Sequence, residues 1–307
     1  MAFAEQALEK APDRPGLPPA PVLSIVVPTF RREDLLPRLL QAVCDQAASV
    51  VQPVELVLVD NSPEGSARTV PLPGLARYVH EPRSGVARAR NRGVAEARGS
   101  HVIFLDDDEL PAPGWLAAFG AVEPLFQDEP PPALRAPLDR IFSRRLPAPA
   151  GSEVQQLRAY LGSGNSMFAR STLALVDPPF DPSFDSGGED VWLFRRLDDQ
   201  HKVPMIWCPE ALVHEIVPAR RATMAFLRAR RFSDGQLRCL VESDVGGLRG
   251  MARVALWMAV GAAQLGLFGL AALVTRPLSD ARSARFQLAA IGGAGKLLWW
   301  RRQRTRS

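Results

Sequence analysis

The chain has 307 residues, 47% of them hydrophobic and 23% charged, a balance that supports a folded core and argues against a disordered protein. Its formal net charge of +4 hides an asymmetry, with 21 Lys/Arg against 29 Asp/Glu up to Val217 and 16 against 4 from Pro218 onward. Three scattered cysteines, Cys44, Cys208 and Cys239, argue against a disulfide framework and suit a reducing compartment, and the N-terminus, with Glu5 and Glu9 and no long apolar core, does not read as a secretory signal.

In chain order, residues 1–21 are rich in Pro and Ala and read as a flexible leader in which only Phe3 to Lys10 has helical character. Leu23-Ser-Ile-Val-Val-Pro-Thr-Phe30 is a buried strand, and Leu35, Leu36, Leu39, Leu40 and Val43 give Asp34 to Ala48 helical spacing. The pattern repeats with a strand at Val54 to Asp60, a shorter one at Ala76 to His80 and a helix at Val86 to Arg98. Val102 to Leu105 then drives into Asp106-Asp107-Asp108, and Pro111 and Pro113-Gly114 stop any regular continuation.

Alternating strands and helices predict an α/β domain with a mostly parallel sheet whose strand C-termini lie on one edge. Thr29, Asp60 and Asp106 to Asp108 fall on that edge, where ligands bind in open α/β sheets. Gathered carboxylates repel unless a cation compensates, and a hard divalent ion with oxygen ligands suits them; a solvated acidic turn is the plainer alternative. Neither GxGxxG nor GxxxxGK[ST] is present. Basic residues between Gly85 and Gly93 therefore read either as phosphate ligands or as a solvated helix face.

The second half holds a small-residue stretch, Leu161-Gly-Ser-Gly-Asn-Ser166, a short helix at Ser171 to Val176, and Gly187-Gly188-Glu189-Asp190 at the start of an amphipathic helix. Carboxylates in a first helical turn need no function, because the helix dipole alone favours them. A strand at Lys202 to Cys208 precedes His214, and a lone histidine is most often packed or solvated. Val254 to Thr275 carries no charge and matches the ~20 residues of a spanning helix, although a buried helix fits too. Phe286 to Trp300 reads as an interfacial segment, with Arg301, Arg302, Arg304 and Arg306 on anionic lipid, or as the return of a hairpin. Trp and Leu between basic residues suit lipid, not nucleic acid.

Together, Ser24-Ile-Val-Val-Pro-Thr-Phe30, Val59-Asp-Asn61, Ala89-Arg-Asn-Arg-Gly93 and Phe104-Leu-Asp-Asp-Asp108 resemble the family 2 glycosyltransferases of GT-A fold. The resemblance covers about Val22 to Gln236 and implies a catalytic domain over 22–245 followed by a basic, apolar, membrane-associated region over 246–307. It implies a nucleotide-diphosphate-sugar site at Pro28, Thr29, Phe30, Asp60, Arg90, Asn91, Asp106 and Asp107, with Mn²⁺ or Mg²⁺ on Asp108 and His214. The Glu189-Asp190 pair maps to the family's catalytic motif, with Asp190 as general base. The basic block Pro218 to Val241 resembles that of bacterial exopolysaccharide enzymes but departs from the QxxRW motif of processive synthases. The implied protein is an inverting transferase acting on a saccharide or lipid-linked acceptor at the cytoplasmic face of the inner membrane. A non-catalytic, membrane-tethered sugar-binding module of the same fold is the alternative. A dehalogenase-type phosphatase would need Thr or Val where Leu110 stands.

Overall fold

The computed structural model describes residues 22–117, 120–184, 187–244 and 246–301. The leader with its helix at Phe3 to Lys10, and Arg302, Arg304 and Arg306, lie outside them. The described residues form two compact units, one made of those up to Glu123 and Ser143–Ile216, the other of Pro124–Phe142 and the part from Val217 on. The sequence boundary after 245 differs from this division. Helix Met224–Ser243 packs with the helices that follow it because Gly235 lets their backbones come close.

The first unit is an α/β layer. Its main sheet has the order β3-β2-β1-β4-β7, built from β1 (Leu23–Thr29), β2 (Val54–Asp60), β3 (Ala76–His80), β4 (His101–Phe104) and β7 (Ser166–Ala169). The first four strands run parallel and β7 is antiparallel at the edge. Every residue of β1 is buried, as a central strand covered on both faces demands. Helix α1 (Leu36–Ala47) covers one face with Leu36, Leu39, Leu40 and Val43, the periodic residues of its sequence.

Helix α2 (Val86–Glu96) meets the sheet through Gly93, where a Cβ would run into the Val26 side chain. A second sheet, β5-β8-β6, uses β5 (Glu109–Pro111), β6 (Gly120–Phe126) and β8 (Cys208–Val217). The strand expected at Lys202 to Cys208 is thus displaced: regular pairing begins at Cys208, and Ala211 and Val213, not Val203, turn into the core. Helix α5 (Glu189–His201) completes the unit after the four-residue helix α4 (Arg170–Leu173).

In the second unit, helix α3 (Pro132–Phe142) and helix α6 (Met224–Ser243) share an apolar cluster of Leu134, Leu138, Phe142 and Leu227 with Ala284 and Leu288. The last two belong to helix α8 (Asp280–Leu297), which also packs along helix α7 (Gly247–Thr275).

Replacing Gly93 by Val forces extra methyl groups against a side chain with nowhere to go. Gly93→Val is expected to lower unfolding free energy by about 1–3 kcal/mol, read as a lower urea midpoint at unchanged slope. An unshifted midpoint would refute this close packing.

Candidate active site

The parallel register decides which side chains meet. Val26 pairs with Phe104 and Thr29 with Asp60, so the chain leaving β4 runs beside the end of β1. Asp107 accepts hydrogen bonds from Thr29 Oγ1 at 2.9 Å and Phe30 N at 3.4 Å. Pro28 is buried in β1 one residue earlier. Arg32 Nη1 lies 2.8 Å from Asp107 Oδ1 and 2.6 Å from Asp108 Oδ2, so one guanidinium spans both carboxylates. Burial opposes the Arg32 charge, yet the two aspartates hold its pKa above the ordinary value. Burial pushes Asp107 up to about 7, with Arg32 working against the rise and Asp108 adding to it.

Asp60 is fully buried and committed to its own loop. Its carboxylate accepts from Ser62 N, Ser62 Oγ, Ala67 N and Tyr78 OH at 2.8–2.9 Å. It shapes the loop after β2, where the family resemblance implies a direct ligand of the base. Asn61 does similar work, donating to Glu81 O and Arg83 O and accepting from Gly85 N.

The implied phosphate ligands on α2 are engaged elsewhere. Arg90 is 5% exposed; it pairs with Asp106 Oδ1 at 2.8 Å and with Glu189 Oε1. Burial opposes its charge, but Asp106, Glu189 and Asp190 raise its pKa. Asn91 donates to Phe180 O at 2.7 Å and accepts from Phe180 N at 3.0 Å, which clamps the loop before α5 onto α2. A buried arginine with two carboxylates and an asparagine bonded on both sides are positioning groups in this state.

Gly187 and Gly188 adopt positive φ, 114° and 95°, and let the chain turn so that Glu189 and Asp190 open α5. Asp190 Oδ1 accepts from Val191 N at 2.7 Å. Burial and Asp190 push Glu189 up to about 7 against the pull of Arg90. Glu189 Oε2 and Ser163 Oγ are buried with no hydrogen-bond partner among the described residues.

Ser163 lies between the two glycines that give the carboxylates room. A Cβ on Gly162 would lie 3.6 Å from Asp190 Oδ2, and one on Gly164 would lie 2.5 Å from Asp106 Oδ2. Part-buried Arg144 holds this turn by donating to Gly162 O at 2.6 Å and to Gly164 O. Burial lowers its pKa, while Glu109 and Asp106 oppose the fall; Glu109 itself is pushed well up by burial and Asp106. Arg32, Arg144 and Glu109 were absent from the sequence-derived site. Arg32 follows directly on the β1 motif, whereas nothing local marks Arg144.

His214 sits inside β8 opposite Leu110, not in a loop after a strand. Among the described residues, no three His, Cys, Asp or Glu side chains form a cluster arranged to hold a metal ion. The chemistry of Asp107 and Asp108 nevertheless fits a hard cation: two adjacent, largely buried carboxylates already receive one positive group.

Residues 24–121 match the family model described as Glycosyl transferase family 2. Over 291 residues the chain is 32% identical to succinoglycan biosynthesis protein ExoM of Rhizobium meliloti, covering 89% of this chain and 91% of the relative. It is 35% identical over 98 residues to dolichol-phosphate mannosyltransferase of Mycosarcoma maydis, covering 29% and 33% of the two chains. Among solved structures, mannosyltransferase PcManGT from Pyrobaculum calidifontis, in complex with GDP-Man and Mn²⁺, superposes with a TM-score of 0.55 at 20% identity, covering 98% of this chain and 94% of that one. With its mostly parallel sheet and aspartates at the strand ends, the chain has the GT-A fold and belongs to glycosyltransferase family 2.

Proposed function

We propose that this glycosyltransferase moves a sugar, with inversion, from a nucleotide-diphosphate sugar to an acceptor hydroxyl in cell-surface polysaccharide synthesis. The carrying observation is the convergence of two acidic groups around one turn: Asp106 from the β4 edge and Asp190 from the head of α5 both stand against the Gly162 to Gly164 backbone. The extended similarity to a succinoglycan biosynthesis protein supports exopolysaccharide as the product class. A lipid-linked saccharide is the acceptor we favour, handled at the cytoplasmic face of the inner membrane, because the basic, apolar C-terminal region suits an anionic surface.

In this reading the chain's residues divide the work. Asp190 takes the proton of the acceptor hydroxyl as it attacks. Glu189, held by Arg90 and raised by burial, keeps a proton more readily and offers its unpartnered Oε2 to a sugar hydroxyl, as does Ser163 Oγ. Asp106, fixed by Arg90, sets the distance between the donor edge and α5. A divalent cation such as Mn²⁺ or Mg²⁺, bound by Asp107 and Asp108, would supply charge stabilisation for the departing diphosphate. His214 remains the proposed third ligand. Arg32 supplies the counter-charge of that pair in this structure.

Three outcomes test the reading. Asp190→Asn is expected to lower sugar transfer about 10²–10⁴-fold while nucleoside-diphosphate affinity stays near wild type; retained transfer would remove the base assignment. Asp108→Ala should abolish the Mn²⁺-dependent part of nucleoside-diphosphate binding in calorimetric titration, and an unchanged titration would sink the metal role. For Glu189 the folded pKa lies above its ordinary value, so the folded state binds the proton more tightly and stability falls as pH rises from 4.5 through about 7. The melting temperature of Glu189→Gln should therefore drop less than wild type between about pH 5 and 8. Parallel pH profiles would contradict the buried environment of Glu189.

A further inference from the structure

Helix α7 has the length and composition of a membrane span: it is 29 residues long and contains an 18-residue stretch of mean hydropathy 1.8, of which 11% is buried. Its neighbours within the second unit argue against a crossing. Helices α6, α7 and α8 pack on one another, with α7 running antiparallel to the other two: Gly235 of α6 meets Gly292 and Gly295 of α8, and Gly261 of α7 meets Gly293. Phe268 stacks on Phe286 at 6.0 Å, Ser283 Oγ donates to Ala272 O, and Lys296 Nζ donates to Gln264 Oε1 at 2.9 Å.

Helix α6 is the decisive element because it is charged alongside the apolar part of α7. Arg238 stacks over Trp257 at 4.8 Å, level with the start of the uncharged stretch. Arg228 lines a groove with Gly269, Ala272, Leu273 and Arg276, level with its end. Between them α6 carries Arg230, Arg231 and Asp234, so the eleven residues from Arg228 to Arg238, about 15 Å of helix, hold five charged groups. If α7 crossed a bilayer, this row would be drawn into the hydrocarbon with it.

The opposite side of α7 is free and apolar. Leu256, Leu267, Leu270 and Val274 are each at least 60% exposed, and no charge interrupts the helix between Arg253 and Arg276. Basic residues flank both ends, Arg249 and Arg253 at one and Arg276, Arg282 and Arg285 at the other, with Asp280 the one acidic residue from Gly246 to Trp300. An apolar face with arginines at both ends matches the boundary between acyl chains and anionic headgroups.

We infer that α7 lies in the plane of an anionic lipid surface, its free face among the acyl chains and charged α6 toward water, and does not span the bilayer. The inference rests on the membrane partner proposed above and adds its geometry. Both ends of α7 then face the same side of the membrane.

Single cysteines at the exposed positions Leu248 and Leu278 test this in the full chain. In a bacterial host, Leu248→Cys and Leu278→Cys should both react with a membrane-impermeant maleimide in inverted inner-membrane vesicles and neither in spheroplasts, above the wild-type signal from the native cysteines. Labelling of Leu278→Cys only in spheroplasts would overturn the in-plane geometry while leaving membrane association intact. A companion sedimentation assay isolates the underlying reading. Purified wild type should pellet with phosphatidylglycerol vesicles and stay in the supernatant with phosphatidylcholine alone; failure to pellet with phosphatidylglycerol would remove the membrane partner and the inference with it.

Discussion

The buried guanidinium of Arg90 is the contact on which the arrangement of the candidate site depends. It lies on α2, yet it binds Asp106 at the end of β4 and Glu189 at the head of α5, a residue 99 positions away. A buried ion pair is a weak source of net stability, because desolvation cancels much of the attraction. Its value is geometric. Two carboxylates of like sign, one after β4 and one at the head of α5, are tied to one planar fork whose donors fix both directions at once. Losing Arg90 would leave buried Glu189 and part-buried Asp106 without their shared counter-charge, which is costly in a way that its presence is not rewarding.

Arg32 and Arg144 extend the same logic. Each is buried or half-buried, and each answers carboxylates gathered at the sheet edge: Arg32 spans Asp107 and Asp108, and Arg144 holds the glycine turn beside Asp106 and Glu109. The acidic edge therefore carries internal counter-charges, which explains how so many carboxylates share a small volume in a protein whose body is net acidic. Gly164 serves the same end by sterics, since a side chain there would push Asp106 away.

Much of the fold was legible because β1, β2, α1 and α2 follow simple rules: apolar-rich strands, a clean helical repeat on α1 and a glycine where α2 and β1 touch. The strand near residue 208 was misplaced because Val203 to Trp207 is as apolar as a strand, while β8 earns its place only by pairing with β5, a long-range event. Residue types at the site were readable in advance, but partners were not. The resemblance implies ligand roles for Asp60 and Asn91, but their partners Tyr78 and Phe180, the latter 89 residues on, carry no local signal. Arg144 had no local mark at all, because its importance comes from where the chain returns.

One residue of the glycine turn has a consequence for the protein's chemical ageing. Asn165, with φ of 51°, donates to Ala121 O and Ala211 O and accepts from Trp115 Nε1 at 2.7 Å. It is followed by Ser166, a small neighbour that leaves an asparagine amide open to slow hydrolysis in a loose chain. Here the amide is 2% exposed and held by three bonds, so folding shields it. An unfolded chain has no such shield, and conversion to aspartate would set an anion against two carbonyl oxygens. Time spent unfolded would thus become permanent damage, so that storage loss in this protein tracks its unfolding and not its age.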